Sequence, residues 1–494
     1  MAVRLRVLSA AGIVTAGVVA AALVAQLPAV GLEPHVAVAT PSSAGQRLVC
    51  PGATIAVGAP GHAAADLSAS ASPERVQGTS GSASVALTTL ARGNVSGGKG
   101  TAARLLTAPA AAGRNGAIAA AQSQSGADGD VAGLAATGCV VPGNDLWLVA
   151  GATTTGRTTV LTLANASGVT AQVAVRIWTD HGPAAEPSQV TLPPRSRQAL
   201  SLSGVVTNAA ATAVEVTSTG GQVGAALEQR TVRGLESGGV DLAGPTVAPA
   251  TAQTIPGIRI VDSAAVASAS GGPDTADLVP VVRLLAPGRS GGDVVLRVTG
   301  ADGGTARTLT KHVSAGAVTD VPLAGIGDGV WSVAVTSSVP VVAGARISVV
   351  QNAGGSTTDT TATGSTETAG SIGTGGSGTT TSTARGIDFA WIAAARPLGA
   401  SAAVAVARGP SPKLVLANPT AAALQVQVAA AGGSATTVSV PAHGTAATDV
   451  AAGMLTLTRA TGLTAAIAYS GGEGLATYPV APADQAAHPV RVTH

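Results

Sequence analysis

Apolar and polar residues alternate in short runs along most of this chain, and one such pattern returns far downstream. Leu161 to Val175 reads LTLANASGVTAQVAV, and Leu414 to Val428 reads LVLANPTAAALQVQV, with no gap between the two alignments. Each copy alternates, breaks at an Asn, and alternates again, which is the pattern of two half-buried strands joined by a turn. The spacing predicts a β-hairpin in each. A more diverged copy lies between them, with Val282-Arg283-Leu284 and Val294 to Val298 on either side of an Ala286-Pro287-Gly288 turn.

The segments downstream of each copy are repeated as well. After the first come a strand ending in Pro193-Pro194 and runs at Leu200 to Leu202, Ala213 to Thr217 and Val223 to Leu227. After the last come Val438 to Pro441, Asp449-Val450, Leu455 to Thr458 and Leu463 to Tyr469. Short strands at this spacing, in units of about 100 residues, predict all-β architecture built from tandem immunoglobulin-like β-sandwich modules. The Cys-Trp-Cys core of antibody domains is absent. The chain therefore divides into a signal or anchor helix (1–27), a linker (28–46), an N-terminal β-module (47–143), β-sandwich modules at 144–238, 239–352 and 387–486, and a tail (487–494). Between the last two modules, 353–386 is a Gly/Ser/Thr-rich loop or linker with almost no apolar residues, and its hydroxyls make it a candidate for O-glycosylation.

Composition sharpens this picture. Of 494 residues 46% are hydrophobic, yet aromatic residues are 1%, charged residues 11%, and there are 65 Gly and 28 Pro. The cores must be thin and filled by Ala and Val, so stability comes from many modest contacts at about 25 cal/mol per Å². Interleaved Val, Thr, Gly and Pro disfavour long helices. A net charge of +2 and seven aromatics give nucleic acid neither an electrostatic footprint nor stacking platforms.

The start of the chain points to export. Arg4 and Arg6 precede the uncharged run Val7 to Ala25, which as a helix would span about 28 Å, near the hydrocarbon thickness. It reads as an uncleaved membrane anchor, with cleavage at Ala29-Val30-Gly31 or Ala37-Val38-Ala39 as the alternative. Retained arginines on the cytoplasmic side would place everything after Pro28 in an extracytoplasmic position. In that compartment Cys50 and Cys139 are expected to form a disulfide closing a loop of roughly 90 residues, worth about 4–5 kcal/mol in the chain-entropy model; buried free thiols are the alternative.

Chemistry-bearing motifs are few. Gly93 to Thr101, GNVSGGKGT, approaches a phosphate loop but has Gly100 where magnesium needs a hydroxyl. Asp128-Gly129-Asp130 lacks the ligand series of a calcium site. His35, His62, His181, His312, His443, His488 and His494 form no repeated column and no Ser-His-carboxylate order. No catalytic, cofactor or metal residues are assigned, and no cofactor is expected. Asn94-Val95-Ser96 and Asn165-Ala166-Ser167 match the glycosylation pattern, but Asn165 shares a column with Asn418, which Pro419 disqualifies, so Asn is read there as a turn former. Trp147, Trp178 and Trp331 are candidate surface aromatic contacts; for Trp147 and Trp391 the competing reading is a large plug in a small-residue core.

Taken together, the N-terminal membrane segment, Cys50-Pro51-Gly52, Gly138-Cys139, Asp145 with Trp147, Leu163-Ala164-Asn165, Pro193-Pro194 and Val339-Pro340-Val341-Val342-Ala343 resemble a family of actinobacterial exported proteins of unknown function. The resemblance covers nearly the whole chain. In that family the gene commonly sits beside one for a large membrane glycosyltransferase, which implies an envelope role and that enzyme as a partner. It carries over no catalytic residues. This chain departs from the pattern at Ala166, where Pro is usual, and in the tract after Ala353. The expectation is a non-enzymatic structural or protein-interaction component of the cell envelope; the alternatives are a cell-wall polysaccharide-binding protein and a cryptic hydrolase.

Overall fold

The computed structural model describes residues 36–39, 45–58, 66–70, 72–79, 84–109, 117–126, 132–272, 274–301, 303–350, 386–472, 474–481 and 490–493. The anchor segment, most of the Thr/Gly tract, Asp128 and Asp130 lie outside them. Among the described residues the fold is almost entirely β, in several small sheets, with one short α-helix at Ser263–Ala269. None of the described helices is long and apolar enough to cross a membrane. The strand pair Val36–Ala39 with Val490–Thr493 forms a unit by itself, separate from residues 44–485.

The predicted hairpins are not hairpins. Arg157–Asn165 and Ala171–Thr179 do not pair with each other but enter different sheets. The alternation holds, but the link between the strands is a crossing and not a hairpin turn: both strands direct their apolar sides inward from opposite walls, so Leu161, Leu163, Val173, Val175 and Ile177 meet in one core. Asn165 fixes the crossing. Its amide donates to the carbonyls of Val169 (2.8 Å), Leu192 (3.1 Å) and Pro193 (3.1 Å), while its oxygen accepts the Ser167 N–H (2.8 Å). Asn418 does the same with Ala422 (2.7 Å), Pro441 (3.0 Å) and Thr420 N–H (2.9 Å).

One strand order recurs three times. In the first repeat one sheet runs Asp145–Leu148, Thr212–Thr219, Ala171–Thr179, Ser188–Leu192, and the other Arg197–Ser201, Arg157–Asn165, Val223–Arg233, Glu236–Ala243. The third repeat has Ser401–Val406, Gly453–Thr458, Leu424–Ala430, Ala435–Val440 facing Thr445–Asp449, Lys413–Ala417, Thr464–Gly471, Gly474–Pro479. In the second, the single strand Gly329–Val350 serves both sheets: it joins Ala250–Ile260 to Gly292–Thr299 and Thr305–Val313 in one, and Val281–Leu285 with Thr319–Pro322 to Ile387–Ala393 in the other. Two strands thus pair across the divisions expected from sequence. Ile387–Ala393, placed with the C-terminal module, completes a sheet of the second repeat, and Glu236–Ala243 completes one of the first.

Among the described residues the N-terminal part carries three three-stranded sheets, and Cys50 and Cys139, 89 residues apart, are disulfide-bonded as expected. The four parts close on one another in a ring. Arg197 N–H donates to the Ala91 carbonyl (2.7 Å), Val318 to Thr179 (2.9 Å), and Thr445 to Gly300 (3.0 Å). These are equivalent strand positions, so each repeat leans on its predecessor through the same backbone bond. The last step returns to the start: Ala121, Leu134 and Ala136 of the N-terminal part are buried in the core of the third repeat, beside Val404 and Tyr478.

Candidate functional site

At the centre of this ring four strands, one from each part, run side by side: Gly133–Gly138, Glu236–Ala243, Ile387–Ala393 and Gly474–Pro479. Near their starts the equivalent residues are Gly133, Gly239, Asp388 and Gly474. Two of the glycines make room for the carboxylate, since a Cβ on Gly133 or Gly239 would come within 2.6 Å of Asp388 Oδ1, while a Cβ on Gly474 would meet the Leu134 side chain. The N–H groups following those glycines converge on Asp388, with Leu134 and Leu475 donating to Oδ2 (both 2.9 Å) and Val240 to Oδ1 (3.2 Å). Burial pushes the Asp388 carboxyl up to about 8, against the opposing pull of these amides. Neighbouring Asp241 is also raised by burial, and accepts the backbone N–H of Trp391 at 2.6 Å.

Further ionisable groups bind the parts together around this column. Arg283 forms a two-point pair with Asp320 (2.8 Å each), donates to the Gly151 and Thr212 carbonyls of the first repeat, and stacks 4.4 Å from the Trp391 ring. Arg157, Arg233 and Arg346 all reach Asp277. Burial would raise Asp277, but these arginines outweigh it and hold the carboxyl below its usual range. Glu228, raised by burial despite Arg230, takes the Ile55 N–H at 2.7 Å and so ties the N-terminal part to the first repeat. Sequence reasoning singles out none of these residues. The one signal it offers is an Asp inside an apolar strand, in Val240-Asp241-Leu242 and Ile387-Asp388-Phe389, in a chain with only 25 acidic residues.

Where the same four strands end, a cavity of about 320 Å³ opens. Its wall consists of the segments that leave those strands, including Val140 to Gly143, Gly244 to Ala248, Ala394 to Arg396 and Pro479 to Ala481, with Leu48, Trp147 and Val404. Among the described residues its charged lining residues are Asp145 and Arg396, both exposed at the rim. A mainly apolar cavity at the meeting point of several parts of a fold is the usual setting for a ligand.

A second, more open cleft of about 550 Å³ lies between the first and second repeats. Trp147 and Trp178 line it, but neither is a surface aromatic: each is 5% exposed, and the rings stack at 5.2 Å within a cluster containing Leu285 and Val342. The seam between repeats takes up their faces. Arg176 pairs with Glu215 at 2.8 Å beside them, and burial raises Glu215 against that pairing. Trp331 is half-buried over Gly300 and Gly329, its N–H donating to the Gly327 carbonyl at 3.1 Å. Trp391 is buried with Phe389 in the core of the first repeat.

The weaker motifs resolve into turns and struts. Gly93 to Thr101 contains the two-residue strand Val95–Ser96 and a 3₁₀ turn, in which the Thr101 hydroxyl donates to the Gly98 carbonyl (2.7 Å), and not the strand and helix of a phosphate loop. Asn94 is engaged with both the carbonyl (2.8 Å) and the N–H (2.9 Å) of Ala199. His181 lies beside Asp180, His312 beside Asp293, and His443 occupies a left-handed turn; the other four histidines lie outside the described residues. Among the described residues no cluster of three or more His, Cys, Asp or Glu is placed to hold a metal ion.

Compared with known families, the model of a family of unknown function, DUF5719, matches residues 94–385, more than half of the chain. No curated protein matches it.

Proposed function

We propose that this chain, which belongs to the DUF5719 family of unknown function, is a non-enzymatic, extracytoplasmic interaction component of the cell envelope. In this reading Val7 to Ala25 is its membrane anchor, its repeats are immunoglobulin-like sandwiches, and its partner is an envelope protein such as a membrane glycosyltransferase. The observation that carries the reading is the set of three equivalent outer strands, Ser188–Leu192, Thr305–Val313 and Ala435–Val440, each paired on one side only among the described residues. Ser188–Leu192 exposes Gln189 and Thr191, Ala435–Val440 is mostly exposed, and Thr305–Val313 exposes both faces for most of its length. A one-sided edge strand is a template for an added strand of another chain.

Photo-crosslinking residues at Thr308 and Thr437 should each yield one discrete adduct with an integral membrane protein in intact cells. Adducts no stronger than those from Ser290, away from the outer strands, would remove the edge-docking reading. The polysaccharide alternative draws on the cleft beside Trp178, where Arg176, Glu215 and Arg289 offer planar hydrogen-bonding groups to a sugar. Hydrolysis in that cleft would need Glu215 released from Arg176.

A further inference from the structure

We infer that the cavity at the end of the central strands holds one linear hydrocarbon chain of a membrane amphiphile. Its walls come from all four parts of the ring, so the site exists only when the ring is closed. At roughly 30 Å³ per water in the liquid, its volume of about 320 Å³ is that of on the order of ten waters, room for a comparable number of chain carbons. The interior is set by side chains such as Leu48, Val140, Val247, Val404 and Val480, while the charges of Asp145 and Arg396 stay at the rim. That layout suits an apolar chain inside and a polar head outside.

The chain's own path indicates where such a ligand comes from. Leu48 lies in the first strand of the ring, and Val480 and Ala481 follow its last strand, so the polypeptide enters and leaves beside the cavity. Twenty residues separate Ala25 from Gln46, among them the paired strand Val36–Ala39, so roughly 70 Å is the upper limit of that span. This step rests on the anchor reading above, which would hold the cavity within reach of the bilayer.

The test is photolabelling of the full chain in its native membranes with two probes, a diazirine-bearing free fatty acid and a phosphatidylglycerol carrying the same acyl chain. Peptides containing Val247, Val404 or Val480 should be labelled, and the probe that labels them identifies the source. Ala248→Trp, which adds bulk at an exposed lining position, should abolish that label, while Arg289→Ala in the other cleft should leave it. Label confined to residues 7–25, or unchanged in Ala248→Trp, would overturn the inference. Carbonate extraction in parallel separates the two readings: a chain released from the membrane whose cavity is still labelled by the free acid removes the anchor and keeps the ligand, and a retained chain with unlabelled cavity peptides does the reverse.

Discussion

Asn165 and Asn418 are the side chains on which the repeat turns. Both are buried, and each amide gathers carbonyls from two loops, sharing Pro193 with the Ser196 hydroxyl and Ala422 with the Thr420 hydroxyl. Replacing either by Ala removes one buried amide from several carbonyls at once, and each variant should lose about 2–4 kcal/mol, measured by denaturant unfolding. The same burial means that mass spectrometry of the folded protein should find Asn165 unmodified. Asp388, Asp241 and Glu228 make a different prediction. Their carboxyls are all raised by burial, so the folded chain keeps protons that the unfolded chain releases near pH 4. The contribution of these three groups to stability should therefore fall as pH rises from about 4, and the Asp388 share should level off above about 8. Asp388→Asn cannot titrate; its melting temperature should be lower throughout but less steep between pH 5 and 8. An unchanged slope would show that Asp388 is ionised across that range.

Strand existence is legible from alternation, whereas strand partnership is not. The run from Leu161 to Val175 is equally compatible with a hairpin and with a crossing between facing sheets, because both bury alternate residues; the long-range pairing of each strand, and the bonds of Asn165 to Leu192 and Pro193, distinguish them. Likewise Ile387–Ala393 reads as the start of a module because it comes after the long tract, and its pairing with Gly329–Val350 is invisible locally. The glycines are legible only as turns or weak strand positions. Gly239 in fact combines φ +104° with the 2.6 Å approach to Asp388, so Gly239→Ala should cost about 2–4 kcal/mol through strain and overpacking, read as a shifted urea midpoint. The disulfide pins the other side of the column by tying the strand Gln46–Cys50 to the segment leaving Gly133–Gly138. Replacing both cysteines by Ala should cost about 2–5 kcal/mol and make the N-terminal part the first site of proteolysis.

In the whole molecule small side chains become an asset. The cores combine Ala and Val with Leu and Ile and hold few aromatic residues, and each part packs against two others, with all the aromatic residues except Trp331 buried in cores or seams. This organisation explains why the functional reading from sequence is coarse: the ionisable residues that stand out in the fold serve the seams, and the cavity is lined by residues that look ordinary in the chain. Because Asp388 holds Leu134, Val240 and Leu475 at once, the four parts should unfold together. Native-state hydrogen exchange of those three amides tests this most directly. A closed ring predicts that they exchange with the same free energy, equal to that of global unfolding, and that Asp388→Ala lowers all three together; one of them exchanging far faster than the others in the unmodified protein would show that its part opens independently and that the ring is not closed.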